Sequence, residues 1–160
     1  MNELYLMVTI APRSAARQYV GLFGKYGVAV TLSTLGQGTA GSKLLDYFGL
    51  EKTEKVVTFS FVTRSTWRAV KSAMQKELRI DVPGTGIAFI VPVSSIGGKK
   101  PLAFLTDGQD FEAGEESTLK GTKYELLVVI ANQGHTELIM DAAREEQAGG
   151  GTVLHAKGTG

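Results

Sequence analysis

Three short glycine-rich segments are the best candidates for chemistry in this chain. They read Gly36-Gln37-Gly38-Thr39-Ala40-Gly41, Pro83-Gly84-Thr85-Gly86 and Ala156-Lys157-Gly158-Thr159-Gly160. Because glycine has no Cβ atom, the backbone N–H groups of such turns can point outward together and hold an anion. Lys157 adds a positive charge to the third segment. The segments therefore predict an anion-binding role, for which the alternative is that they are plain turns.

The other reactive residue types give less support for chemistry. His135 and His155 lie 20 positions apart, and no local Asp or Glu completes the set of three or four ligands that a metal needs. We interpret them as a capping or surface histidine and a half-buried strand histidine. No serine is paired with a suitable histidine and acid, and no Gly-x-Ser-x-Gly elbow is present. The sequence therefore predicts no metal and no enzymatic activity.

The bulk composition is that of an ordinary globular protein. Its 160 residues include 17 basic and 16 acidic side chains and no cysteine, so neither nucleic-acid binding nor thiolate chemistry is indicated. No apolar run approaches the roughly 18 residues that cross a bilayer. The apolar run over residues 4–11 lacks the preceding basic residues of a signal sequence. We expect a cytoplasmic protein with no nucleic-acid partner and no membrane insertion.

Hydrophobic periodicity predicts a strand–helix–strand–strand–helix–strand unit in the first 95 residues. The predicted strands cover residues 4–10, 28–35, 56–62 and 87–93. Ser14 and Ser65 are the predicted N-caps of the two helices, and Gly27 is expected to end the first helix in the left-handed conformation. A short helical turn is expected over residues 44–48. This order is the ferredoxin-like βαββαβ unit, an α+β fold.

The predicted sheet needs a second covering layer. Its two helices can cover only one face, yet the first and fourth strands are apolar on both faces. The second face is therefore expected to meet another sheet, either from the rest of this chain or from another chain.

The chain also matches itself at an offset of 120 positions, with residue 4 falling on residue 124. The shared strand positions are Leu6, Val8, Ile10 and Ala11 in the first copy and Leu126, Val128, Ile130 and Ala131 in the second. The second copy predicts a strand over 124–131, a helix over 135–147 and a strand over 151–156. A counterpart of residues 54–93 is missing, so this copy either is truncated or completes its sheet on another surface.

These patterns predict three segments. Residues 1–95 form the first ferredoxin-like domain, residues 96–122 form a connector, and residues 123–160 start a second domain of βαβ order only. Within the connector, residues 102–105 are expected to form a hairpin or an edge strand.

Two glycine segments resemble signatures of the PII nitrogen-regulator family. Residues 148–160, Ala-Gly-Gly-Gly-Thr-Val-Leu-His-Ala-Lys-Gly-Thr-Gly, resemble the family's glycine-rich turn, second strand and closing Lys-Gly-x-Gly, and residues 27–38 resemble it more loosely. Residues 84–89, Gly-Thr-Gly-Ile-Ala-Phe, resemble the family's second loop, Gly-Asp-Gly-Lys-Ile-Phe. The βαββαβ order is also the family's order. The resemblance covers residues 4–93 and 124–160. Because it covers two segments of the chain, it implies a tandem-repeat member of the family.

The resemblance implies a cytoplasmic regulator of nitrogen or related metabolism that is not an enzyme. PII proteins are homotrimers that bind adenine nucleotides between subunits and present a long loop after the second strand to a target protein. The implied ligand is therefore ATP, ADP or AMP. The implied partners are a small-molecule effector, a target protein and further copies of the chain, most simply as a trimer.

The resemblance also implies the site residues. The nucleotide-contacting glycines match Gly38, Gly84, Gly86, Gly158 and Gly160, and the neighbours that complete the predicted site are Gly36, Thr39, Thr85 and Lys157. One departure is that the family's phosphate-binding lysine is Ile87 here. Its loss removes a charge-assisted hydrogen bond of roughly 1.5 to 3 kcal/mol. This departure favours the main alternative, an oligomerisation or scaffold module that has kept the fold and lost nucleotide binding. A small metabolic enzyme ranks third.

Overall fold

The computed structural model describes residues 3–38, 54–112 and 123–159. The chain divides into two compact units, one formed by Met1–Thr118 together with Ala156–Gly160 and the other by Leu119–His155. The strands are β1 (Leu4–Pro12), β2 (Thr31–Gln37), β3 (Glu54–Thr63), β4 (Ile87–Pro92) and β5 (Lys157–Gly158). The helices are α1 (Ala16–Lys25), α2 (Arg64–Glu77), α3 (Lys99–Leu105) and α4 (Thr136–Glu145), and a 3₁₀ turn covers Arg13–Ala15.

The first unit has the predicted ferredoxin-like fold. Its sheet runs in the order β4-β1-β3-β2-β5, and every neighbouring pair is antiparallel. With α1 between β1 and β2 and α2 between β3 and β4, the chain follows the βαββαβ order. The fold class predicted from periodicity is confirmed.

The core lies between the sheet and the two helices. Alternate residues of the central strands, such as Tyr5 and Met7 of β1 and Val62 of β3, pack against Phe23 of α1 and Val70 of α2. Burying such side chains contributes about 1.5 to 3 kcal/mol each, which makes this layer the main source of stability.

The sheet face that packs on the helices also carries buried hydroxyl groups. Thr9 of β1 and Thr58 of β3 are buried and hydrogen-bond to each other, and Thr31 and Ser60 do the same with their oxygens 2.9 Å apart. Because every one of these hydroxyls has a partner, the polar stripe avoids the penalty of an unpaired buried polar group.

The opposite face of the sheet is apolar, as the sequence predicted. The cross-strand register and the alternation of side chains place the following residues on it: Leu6, Val8, Ile10, Leu32, Thr34, Val57, Phe59, Phe61, Ile87, Phe89 and Val91. None of them is charged, and Lys55 is the charged residue that the same register places at the end of this face. The three side chains from β4 are 61%, 44% and 41% exposed. An oligomer that covers this face remains a prediction.

Two predicted helix caps are wrong. Ser14 lies in the 3₁₀ turn, and α1 begins two residues later without a side-chain cap. The cap of α2 is Thr63 rather than Ser65, because the last residue of β3 is still extended and its hydroxyl accepts a hydrogen bond from the Thr66 amide at 3.2 Å.

The predicted end of α1 is confirmed. Gly27 has φ of +79°, and the Val28 amide donates to the Phe23 carbonyl at 3.1 Å. This hydrogen bond is the one that a left-handed C-terminal glycine produces.

The predicted hairpin or edge strand over residues 102–105 is also wrong, because these residues lie in α3. Pro101 is compatible with the first turn of a helix, where a backbone N–H has no partner within the helix. The turn after α3 packs tightly on the first unit, since a Cβ atom at Gly27 would lie 2.5 Å from the Gly108 carbonyl oxygen. The segment expected to be a connector is therefore part of the first unit as far as residue 112.

Gln109 holds this segment against the end of β3. Its side-chain oxygen accepts from the Thr63 amide at 2.9 Å, and its side-chain nitrogen donates to the Phe61 carbonyl at 2.8 Å. One amide side chain thus satisfies two backbone groups that no neighbouring strand reaches.

The second unit contains the predicted helix as α4, but neither predicted strand. Residues 124–131 and 151–155 have no strand partner in the described structure, and the apolar side chains of 124–131 are exposed. A strand needs a partner for its backbone N–H and C=O groups, and the sequence pattern alone does not supply one. The tandem repeat stays a prediction, and the turn expected over 44–48 lies outside the described residues.

Candidate functional site

The second glycine segment forms a compact turn before β4, called here the β4 turn (residues 79–86). Gly84 has φ of +91°, and nothing lies within 4 Å of the position that a Cβ atom would take. The Thr85 amide donates to the Val82 carbonyl at 3.2 Å, and the Thr85 hydroxyl lies 2.7 Å and 2.8 Å from the Val82 and Arg79 carbonyls. The donors of Thr85 are thus used within the turn, and Gly84 is exposed with open space around it.

Tyr19 of α1 packs against the β4 turn and hydrogen-bonds to it. This tyrosine is buried, and its hydroxyl donates to the Thr85 carbonyl at 3.2 Å. Burial raises the pKa of the hydroxyl, which keeps it a donor at neutral pH. A Cβ atom at Gly86 would lie 2.5 Å from the Tyr19 oxygen, so the packing of Tyr19 by itself requires a glycine at this position.

The first and third glycine segments lie on the neighbouring strands β2 and β5 at the other edge of the sheet, called here the β2–β5 edge. Because β5 pairs antiparallel with the start of β2, the two segments run away from each other. Gly36 lies within β2, Gly38 follows directly, and Lys157 and Gly158 form β5 opposite Ser33 and Leu32. The Lys157 side chain is exposed, so its ammonium group is free to approach an anion. Thr39 and Gly160 lie outside the described residues.

Thr159 anchors this edge; it belongs to the third glycine segment but was not among the predicted site residues. Its amide donates to the Thr31 carbonyl at 3.1 Å, and its hydroxyl accepts from the Thr31 amide at 2.9 Å. The pair of hydrogen bonds extends the ladder between β2 and β5 by one residue.

The two glycine sites do not line a single cleft within one chain. The register aligns Ile87 with Ile10, Val57 and Thr34, so the β4 turn and the end of β2 lie at the same end of the sheet. However, β1 and β3 stand between them. Three strand spacings of about 4.8 Å each make a separation of about 14 Å.

A groove of about 270 Å³ lies beside the β4 turn, between α2 and β4. Trp67, Met74 and Ile80 form its apolar wall, and Lys71 and Gly86 line it as well. The size is just below the range of about 300 to 1,000 Å³ that is usual for small-molecule sites. Lys71 thus places a cation beside this turn, and Asp81 places a carboxylate in the same groove.

Lys71 and Trp67 were not among the predicted site residues. The signal that could have found them is their spacing, since residues four apart on a helix share one face. What that face borders, however, depends on the position of β4 against α2 in the folded chain.

A second polar cluster joins the start of β1 to the start of α2. Arg64 and the Tyr5 hydroxyl both donate to the Glu3 carboxylate, and Arg64 also donates to the Tyr5 oxygen at 2.7 Å. These hydrogen bonds, first that from Arg64 and then that from Tyr5, lower the pKa of Glu3. The carboxylate in turn raises the pKa of Tyr5 and of Arg64. Because Glu3 and Arg64 are exposed, this cluster is an ion pair at the surface rather than a catalytic group.

Metal chemistry finds no support in the part of the chain that the structure describes. There, no three His, Asp or Glu side chains come close enough together to hold an ion. His135 instead lies with Nδ1 3.1 Å from the Asn132 carbonyl, at the start of α4. Across the same residues, no helix is long and apolar enough to cross a membrane.

Among known proteins, solved structures match this chain, whereas no protein-family model and no curated protein does. A PII-like signalling protein from Thermus thermophilus is 14% identical with a TM-score of 0.45, over 57% of this chain and 86% of its own. The B. subtilis GlnK–ATP complex is 19% identical with a TM-score of 0.39, over 57% of this chain and 85% of its own. A Bacillus cereus protein related to NIF3 is 21% identical with a TM-score of 0.46, over 59% of this chain and 26% of its own.

The matching structures include one named as a PII-like signalling protein and two named as GlnK. At identities of 14% to 21% and TM-scores below 0.5, this likeness is one of shape alone. The assignment of the fold class follows from the strand order and register of the chain itself.

Proposed function

We propose that this chain is a PII-like regulatory protein that binds a small anionic molecule, an adenine nucleotide in the first instance, and signals to a protein partner. The observation that carries the proposal is the groove beside the β4 turn, where Lys71, Trp67 and the turn glycine Gly86 face one space. An ammonium group suits a phosphate, and an indole ring suits the flat face of a purine.

The β2–β5 edge is the second half of the proposed site. Lys157 stands there beside Gly158 and next to the strand that carries Gly36 and Gly38. Since about 14 Å separates β2 from the β4 turn within one chain, and β5 lies one strand spacing further away, a nucleotide that uses both would lie between two copies. The proposal thus includes a homo-oligomer, a trimer by the PII resemblance.

Isothermal titration calorimetry with ATP, ADP, AMP and 2-oxoglutarate tests the proposal. We expect at least one nucleotide to bind the parent, and Lys71→Met and Lys157→Ala each to weaken that binding by about 1.5 to 3 kcal/mol, as expected for a lost charge-assisted hydrogen bond. Lys76→Met is the matched control, because Lys76 is exposed on the same helix but does not line the groove. Equal binding by all four proteins would contradict the assignment of this site.

The second candidate is a scaffold module that has lost its ligand. The apolar face of the sheet favours it, because the exposed Ile87, Phe89 and Val91 fit association with another sheet whether or not a nucleotide binds. If no nucleotide or small anion binds while light scattering shows an oligomer, the scaffold function replaces the sensor. A monomer at micromolar concentration would contradict both the trimer and the scaffold.

A further inference from the structure

The helix layer of the first unit is strongly basic, although the whole chain is nearly neutral. Residues 13–25 and 64–79, which form α1, α2 and their flanks, contain eight basic residues and one acidic residue. The basic residues are Arg13, Arg17, Lys25, Arg64, Arg68, Lys71, Lys76 and Arg79, and all are exposed. The net charge of +1 therefore hides a marked separation of charge.

Most of this charge is not neutralised within the described structure. Arg13 pairs with Glu54 at 2.9 Å, Lys25 with Glu77 at 3.8 Å, and Arg64 with Glu3. The other five basic residues have no ion-pair partner among the described residues. Several unpaired like charges on one surface raise the local concentration of anionic partners and speed their association.

A groove between α1 and α2 lies on this basic surface. Its volume is about 340 Å³, and its lining includes Arg17, Lys25 and Leu22 of α1 and Leu78 after α2. Gly21 also lines it, and nothing lies within 4 Å of the position of a Cβ atom there. Glu77 lines the groove too and pairs with Lys25, so a chain segment in the groove meets the unpaired charge of Arg17.

We propose that the α1–α2 layer docks an acidic segment of a partner protein. The surface fits a membrane less well, because no large apolar side chain of α1 or α2 is exposed to enter a lipid layer. It also fits single-stranded nucleic acid less well, because stacking would depend on two rings only, those of Tyr26 after α1 and of the partly buried Trp67 of α2. Arg17 and Arg68 contribute one unpaired charge from each helix.

Fluorescence anisotropy with a labelled peptide of alternating Glu and Ser residues tests this proposal on the full chain. We expect binding that weakens as salt rises, because screening acts on exposed charges. The double variant Arg17→Glu with Arg68→Glu should bind about ten-fold more weakly or worse, since like charges then face each other across the interface. A peptide of alternating Gln and Ser should not bind.

The matched control is Lys99→Glu with Lys100→Glu, which makes the same change in net charge away from the layer. Both lysines are exposed at the start of α3, where negative charge suits the helix dipole. This control should bind the Glu-Ser peptide within about two-fold of the parent, and far-ultraviolet circular dichroism checks that both double variants are folded.

Equal losses in the two double variants would show a response to net charge alone and would overturn the proposal. Tighter binding to oligouridylate or to phosphatidylserine vesicles than to the Glu-Ser peptide would also overturn it. The variants in the nucleotide titrations change neither Arg17 nor Arg68. The experiments can therefore contradict the docking surface and the proposed ligand site independently of each other.

Discussion

Strand β1 and residues 124–131 share a sequence pattern but adopt different structures. Val8 and Ala11 of β1 are 7% and 1% exposed, whereas Leu126 and Val128 are 83% and 53% exposed. The first segment pairs with β3 on one side and β4 on the other, and the second has no strand partner in the described structure. An apolar alternating pattern therefore gives the capacity for a strand, while the neighbouring strands decide whether one forms.

The largest expected effect tests this comparison directly. Met7→Asp should prevent folding of the first unit, because it places an unpaired charge in a fully buried position. Val128→Asp should change the free energy of unfolding by no more than about 0.5 kcal/mol, as for an exposed site. Urea unfolding followed by circular dichroism measures both. A large effect at Val128 would show that residues 124–131 are buried in solution, which would remove the contrast.

A smaller effect is expected where the turn after α3 closes on the turn after α1. Gly27→Ala should cost about 1 to 3 kcal/mol, because it adds strain at φ of +79° to a clash with the Gly108 carbonyl. Gly84→Ala is the control, since Gly84 also has positive φ but has open space around it. The difference between the two free energies of unfolding measures the contact with Gly108. Equal costs would show that residues 99–109 are not docked on the unit that contains β1.

The cap of α2 should have an effect of about 1 kcal/mol. Thr63→Ala removes the hydroxyl that accepts from the Thr66 amide, which typically costs that amount. Ser65→Ala leaves this hydrogen bond in place and should change stability by only a few tenths of a kcal/mol. If the Ser65 substitution cost more than the Thr63 substitution, the cap predicted from the sequence would be correct after all.

The smallest effect concerns the ion pair of Glu3 before β1, a position that matches Lys123 at the offset of 120 residues. The folded state lowers the pKa of Glu3, so the stabilisation from its contact with Arg64 is present above the ordinary value of 4.5 and is lost as pH falls through the lowered value. Glu3→Gln should remove this small step from a plot of stability against pH. An unchanged pH dependence between neutral pH and pH values well below 4.5 would show that the pair contributes nothing measurable.

The main fold of the first unit could be predicted from the amino-acid sequence. The apolar and β-branched runs of four strands and the 3.6-residue period of two helices allow one common arrangement, and the structure has it. The end of α1 at Gly27 could also be predicted from the sequence, since a left-handed residue after a helix is most often glycine.

Four other features depend on the tertiary structure. The cap at Thr63 and the hydrogen bonds of Gln109 depend on where β3 ends and what passes over it, which local sequence does not encode. The groove at Lys71 exists because β4 lies beside α2, so an unremarkable helical lysine comes to face a glycine turn. Likewise, residues 124–131 have the composition of a strand, but strand pairing is a long-range interaction, and its partners are set by the fold rather than by the segment itself.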